Sequence, residues 1–289
     1  MKDLDKFESE DILYHYTKTS TALEYILAEE QLRLSGRSNS NDPIENLTHA
    51  TTIKKVYGGF DLSKSVHHLK VFKDIDEQMR RLKQVCFCKN DMSGHFKKMK
   101  DKPYEFYGCM KPRMWEQYAD NYKGVCLIFS KSELEKQLND TYEHGDIEYV
   151  SYSDLNEKNN IIDSRELSES NYEKCLTQVL KKTNKFIFHK HQDYSGENEY
   201  RICSYLDEVP YVNIESAIKG IIVSTKNSKY FKEQLCAYGV NLGIDVLRVD
   251  WKNNGIEVVD LIAKFEAMKR DQAFASKNNI KIVVGFKYL

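Results

Sequence analysis

The chain has 289 residues, 41% apolar and 30% charged, with a net charge of -1. That is chain enough for one large domain or two small ones, and the charge balance removes the simplest electrostatic case for nucleic acid or an anionic membrane, leaving only a local basic groove. The start MKDLDKFESED lacks the apolar stretch of a signal peptide, no apolar run reaches the ~18 residues that span a bilayer, and the seven scattered cysteines suit reduced, buried thiols in the cytoplasm.

The first element is LYHYT, Leu13–Thr17, whose pattern predicts a strand with Tyr14 and Tyr16 on one face and Leu13, His15 and Thr17 on the other. Thr21 and Glu24 have capping-box spacing and open a helix with Leu23, Ile26 and Leu27 as its apolar stripe. Leu32–Ser35 reads as a second strand, and GRSNSNDPIEN (36–46) as a turn-rich loop. Val66, Leu69, Phe72, Ile75, Met79 and Leu82 are spaced for a helix within 63–83, and VCFC (85–88) for a short buried strand. Residues 90–110, rich in Lys, Met and Gly, read as a mobile insertion. Pro112 fits the first turn of a helix that carries Trp115 and Tyr118 and stops near Gly124.

GVCLIF follows as a buried strand, and Ser130 with Glu133 caps a further helix. IEYVSY alternates like a strand, 153–170 is polar loop, and a helix is expected over 169–189 with Tyr172, Leu176, Val179, Leu180 and Thr183 inward. EYRICSYL, GIIVS and VLRVDW are strands; a helix over Tyr230–Tyr238, stopped by Gly239, separates the last two. A helix from Glu257 to about Phe274 follows, and IKIVVGF (280–286) closes the chain. Strands and helices without regular βαβ spacing predict an α+β fold, and no linker divides it, so a single domain over 1–289 is expected.

Fingerprints of phosphate loops, dinucleotide folds, HExxH and GxSxG do not occur in the sequence. Cys86 with Cys88, His67 with His68, and His189 with His191 do not make the CxxC pairs of a structural zinc site, so no metal is expected; buried thiols and an exposed histidine pair at a helix end are the plain alternatives. Asp42 and Glu45 in NDPIEN read first as turn chemistry, with metal-dependent phosphodiester cleavage as a remote functional reading. Trp115 and Tyr118, about a turn apart, either pack a core or line a pocket.

The ordered series LYHYT, LRLSGRSNSNDPIE, CFCKND, MWEQYADNYKGVCLIF, ENEYRI and IKGIIVS resembles a large family of uncharacterised bacterial proteins, over most of residues 12–225, with 226–289 as an extension of the same domain. The family's layout is similar to the ADP-ribosyltransferase fold, which implies a split β-sandwich with peripheral helices and NAD as substrate. By position, His15 is then the histidine contacting the NAD ribose and nicotinamide amide, and Glu199 the late glutamate on the ribose 2'-hydroxyl. Glu197 is the second acid near the acceptor, and Arg201 either pairs with Glu199 or grips a phosphate. Tyr16, Phe87 and Trp115 are candidates to stack on nicotinamide. The chain departs from the pattern at Ser40, where relatives often carry an aromatic, and at Tyr200, where they carry Trp; no second-strand tyrosine appears beside Ser35.

The chemistry explains why such residues are required. Breaking the nicotinamide–ribose bond develops an oxocarbenium-like cation, and a fixed carboxylate stabilises it more in the transition state than in the ground state. Neutral His15 suits donation to a ribose or amide oxygen, and Glu197 suits acceptance of the nucleophile's proton. The expected activity is therefore NAD-dependent ADP-ribosyl transfer to a protein or nucleic-acid acceptor, as an intracellular toxin or phage-defence effector without a membrane partner. The alternative is a non-catalytic nucleotide or nucleic-acid binding module built on tyrosines and the lysine-rich segment 89–102.

Overall fold

The computed structural model describes residues 4–36, 52–54, 66–151, 153–154, 161–163, 172–174, 176–177, 187–206, 208, 210–253 and 255–277. Asp42, Glu45 and Ser40 of the NDP loop, most of the expected helix 169–189, and the closing segment 280–286 lie outside them. In chain order the principal strands are β1 (Ile12–Thr17), β2 (Lys83–Lys89), β3 (Val125–Ser130), β4 (Tyr142–Asp146), β5 (Glu148–Val150), β6 (His189–His191), β7 (Glu199–Ser204), β8 (Ile218–Ser224), β9 (Asp245–Lys252) and β10 (Gly255–Asp260). The principal helices are α1 (Val66–Arg81), α2 (Pro112–Gln117), α3 (Lys229–Leu242) and α4 (Leu261–Lys277). The class is α+β, as the mixed spacing of elements implies.

The chain divides into two compact units, the first Met1–Leu32, Phe87–Leu138 and Val212–Leu289, the second Arg33–Cys86 and Asn139–Tyr211. No Pro/Gly-rich linker marks the crossings, which fall within or beside short elements.

In the first unit the strands run β10-β9-β8-β3-β1, with the second half of β2 beside β1. The sheet is mixed: β8 and β9 are parallel, and the other pairs are antiparallel. β3 is buried at every position, which is why VCLIF is a continuous apolar run rather than an alternating one. On β1, Ile12, Tyr14 and Tyr16 enter one core together with Trp115, Cys126, Ile128, Leu247 and Val249, as the two-residue period requires.

Several expectations change here. The helix after β1 begins at Thr19, not Thr21. Lys18 is its N-cap and makes no side-chain cap bond, so the Thr21–Glu24 capping box does not form. Thr19 is buried, and its hydroxyl donates to the Lys123 carbonyl at 2.8 Å, which fixes the earlier start. Ala22–Ile26 then takes π geometry, so the buried positions are Ala22, Ile26 and Leu27, with Leu23 only half-buried. Residues 90–110 are no mobile insertion: Phe106, Tyr107, Cys109 and Met110 are core. Asn90 ties the segment in, its amide donating to the Phe7 and Ser9 carbonyls while its oxygen accepts from the Gly108 N–H. α2 ends at Gln117 rather than near Gly124, and Asp120, Asn121 and Tyr122 turn the chain in left-handed geometry. Gly124 is demanded by contact, since a Cβ there would sit 2.2 Å from the Thr17 carbonyl oxygen.

α3 continues through Gly239 to Leu242 and ends at Gly243, φ 66°, a left-handed C-cap. Gly239 is a packing glycine instead; its Cβ would meet Val246 at 2.4 Å and Ile262 at 3.0 Å. The segment from Gly255 to Asp260 is a strand rather than a helix start, because IEVVD pairs antiparallel with β9. α4 then begins at Leu261, with the Asp260 carboxylate accepting from the Ala263 N–H at 3.0 Å.

In the second unit, α1 turns Val71, Ile75 and Met79, with Leu82 just past its end, onto Tyr172, Ile187 and Cys203. β7 pairs antiparallel with β4, and β6 pairs parallel with β5. His189 and His191 are thus on a short strand, not a helix end, because the backbone of 189–191 bonds to that of 148–150. His191 is buried, and the His189 ring is 2.9 Å from the Glu148 carboxylate.

Candidate active site: a buried charge cluster in the second unit

Sequence alternation puts Lys190 on the face of β6 opposite its two histidines, level with Tyr149 on β5. A 3-10 turn, Gln192–Glu197, follows and ends at Asn198 in left-handed geometry, φ 46°, a conformation that Asn tolerates. The turn delivers Glu197 inward and starts β7 at Glu199, whose N–H donates to the Tyr149 hydroxyl at 2.9 Å. Arg201, two residues along β7, shares the face of Glu199.

These placements bring two acids and two bases together. Lys190 Nζ donates to Glu197 Oε2 at 2.7 Å and to Glu199 Oε2 at 3.3 Å. Arg201 Nε donates to Glu199 Oε1 at 2.7 Å, its Nη2 lies 2.7 Å from the same oxygen, and its Nη1 donates to the Ile187 carbonyl. The Lys190 ammonium also stands 4.7 Å from the Tyr194 ring centroid. All four charged side chains are at most 5% exposed. Burial pushes the Tyr149 phenol well above its usual range, reinforced by the charges of Glu199 and Glu197, so it stays a neutral partner for the Glu199 amide.

A cluster of this kind is expensive to desolvate, a cost that its internal pairing offsets. The result is a rigid carboxylate: Glu199 has one oxygen fixed by a guanidinium and the other more loosely by an ammonium. Chemically, such a group can stabilise a developing cation without reorganising. The expected acid pair Glu197–Glu199 is therefore brought together, bridged by Lys190, and Arg201 takes the acid-pairing role. The sequence reading missed Lys190 and Tyr149. The readable signal is a lysine between two histidines at the end of an apolar stretch, where the expected helix 169–189 conceals the strand.

The other expected site residues lie in the first unit. His15 is half-buried on β1, its ring 5.7 Å from that of Phe87. Tyr16 and Trp115, expected to stack on nicotinamide, are instead enclosed in the core. The Tyr16 hydroxyl donates to the Gly108 carbonyl at 2.7 Å, and the Trp115 indole N–H to the Cys109 carbonyl at 2.7 Å. Trp115 is 0% exposed, with Tyr16, Tyr122 and Trp251 around it, so a ligand ring could reach it only by displacing core side chains. Tyr200 is buried and shares a 2.7 Å hydrogen bond with His144 Nδ1. Among the described residues no group of three or more His, Cys, Asp or Glu is placed to hold a metal ion, and no helix is long and apolar enough to cross a membrane.

Residues 114–202 match a family model described as a protein of unknown function, DUF2971. The match runs from α2 through the charge cluster to the middle of β7, and it fits the resemblance to an uncharacterised family. No curated protein and no solved structure matches the chain.

Proposed function

We propose that this chain is an NAD-dependent ADP-ribosyltransferase, an intracellular toxin or phage-defence effector, in which Glu199 stabilises the ribosyl cation as nicotinamide leaves. The observation that supports the reading is the fixing of Glu199 at the start of β7 by Arg201 and Lys190. The 2'-hydroxyl of the nicotinamide ribose donates to Glu199 Oε2, the oxygen held at the longer distance. Glu197, bridged to Glu199 through Lys190, takes the acceptor's proton.

A second reading is favoured by the closure of the network, in which both oxygens of Glu199 already face cations: the cluster is a structural clamp of a binding module. The two separate in one experiment. Protein incubated with NAD and a cell extract is assayed for nicotinamide release and for labelled acceptor. The enzyme reading expects release, a fall of about 10²–10³-fold in Glu199→Gln by analogy with loss of one preorganised electrostatic contact, and unchanged near-UV circular dichroism. Absence of release from the wild type, or equal release from the variant, leaves the clamp.

A further inference from the structure

We propose that the first unit binds a small oxyanion of the phosphate class between Lys232 of α3 and Arg248 of β9. This inference does not rest on the NAD reading, and both residues lie outside the 114–202 match.

β8, α3 and β9 form a β–α–β unit with parallel strands, the arrangement in which ligands gather at the carboxyl ends of the strands. Arg248 is level with Val223, one residue before the end of β8. Along β9 it shares a face with Val246, the residue on which Gly239 of α3 packs, whereas Leu247 and Val249 enter the opposite core. Lys232 lies in the first turn of α3, above that face.

Both cations are more than nine-tenths buried, with Lys232 5% and Arg248 8% exposed. Arg248 Nε is enclosed and has no hydrogen-bond partner among the described residues. Lys232 Nζ donates to the Thr225 carbonyl at 3.2 Å. Burial holds the Lys232 ammonium below its usual range, and Arg248 and Lys264 add repulsion that Asp250 only partly offsets. The nearby acids have a partner of their own. Lys252 pairs with Glu257 and stands 4.0 Å from Asp250.

Buried cations with no carboxylate partner in hydrogen-bond reach among the described residues are unfavourable, and a guanidinium and an ammonium on two packed elements are the donor types that phosphate oxygens take. The loop between β8 and α3 is built to hold its shape. Asn227 Nδ2 donates to Thr19 Oγ1 and to the Lys123 and Gly124 carbonyls, and Ser228 caps α3 by accepting from the Phe231 N–H.

The test uses the full chain and thermal unfolding with inorganic phosphate, against chloride at matched ionic strength, with adenosine 5'-monophosphate and adenosine as further arms. The wild-type midpoint is expected to rise with phosphate, as for any ligand selective for the native state. Arg248→Met and Lys232→Met, which keep apolar bulk, are expected to fold at least as stably in chloride and to weaken phosphate at least about tenfold, the scale of one lost charge-assisted bond. A stronger response to the nucleotide identifies a phosphomonoester, and an equal or weaker one identifies free phosphate; both uphold the site. No phosphate response in the wild type, or an undiminished response in both variants, overturns it.

Discussion

The Lys190 ammonium lies 2.7 Å from Glu197 Oε2, and the same nitrogen reaches Glu199 Oε2 at 3.3 Å. One buried cation thus separates two carboxylates that are two residues apart in sequence. Replacing it leaves two like charges facing each other away from water. Lys190→Met is expected to lower folding stability by about 3–5 kcal/mol, read from urea unfolding. Adding Glu197→Leu is expected to recover part of the loss, with a coupling of about 1 kcal/mol or more. Purely additive effects would remove the bridge from the account.

Trp115 separates a core role from a ligand-stacking role. Trp115→Ala is expected to cost about 3–5 kcal/mol of stability, and Trp115→Phe less. Where nicotinamide release is measurable, Trp115→Phe is expected to leave the KM for NAD unchanged. A selective rise in KM in a fully folded Trp115→Phe protein would return the indole to the binding site.

Gly124 sits against the Thr17 carbonyl and the Ala119 backbone, which would lie 2.2 Å and 2.8 Å from an added Cβ. Both are main-chain atoms and cannot turn aside as a side chain does. Gly124→Ala is expected to destabilise by about 1–3 kcal/mol or more, whereas Gly196→Ala, with nothing within 4 Å of its Cβ, is expected to be near neutral. Chemical denaturation of the two variants side by side checks this.

Asp11 gives a pH dependence. Burial alone would raise its carboxyl; the Ser130 hydroxyl, the Ser132 N–H and hydroxyl, and the charge of Lys131 outweigh burial and hold it below the usual 3.8. The sign follows from the folded value being the lower one: the stabilisation is fully present above the unfolded value and is lost as pH falls through the folded value. Wild-type stability is therefore expected to fall below about pH 4 more steeply than that of Asp11→Asn. Parallel acid limbs would show that the hydroxyl contacts contribute nothing.

Much of the fold is legible because burial leaves a periodic trace. LYHYT alternates, and its tyrosines face the core while His15 faces the other way. VCLIF is apolar throughout, and it is the enclosed strand. Misreadings cluster where a local rule lost to a distant partner. IEVVD looked like a helix start until β9 supplied its hydrogen bonds. Gly239 looked like a helix stop, although its missing Cβ serves the contact with Val246. The segment 90–110 looked loose by composition, yet Asn90 and buried aromatics hold it.

The sequence alone determined the α+β class, the strand of His15, and the placing of Glu199 and Arg201 on one face of a strand, because each follows from periods of two and 3.6 within a few residues. Tertiary structure alone decided that Lys190 would bridge both glutamates, that Trp115 would be core, and that Arg248 and Lys232 would both be buried. The physical reason is that charge pairing and burial depend on residues brought close by folding, such as Tyr149 to Glu199 across 50 positions, and no local pattern records which distant atom will arrive.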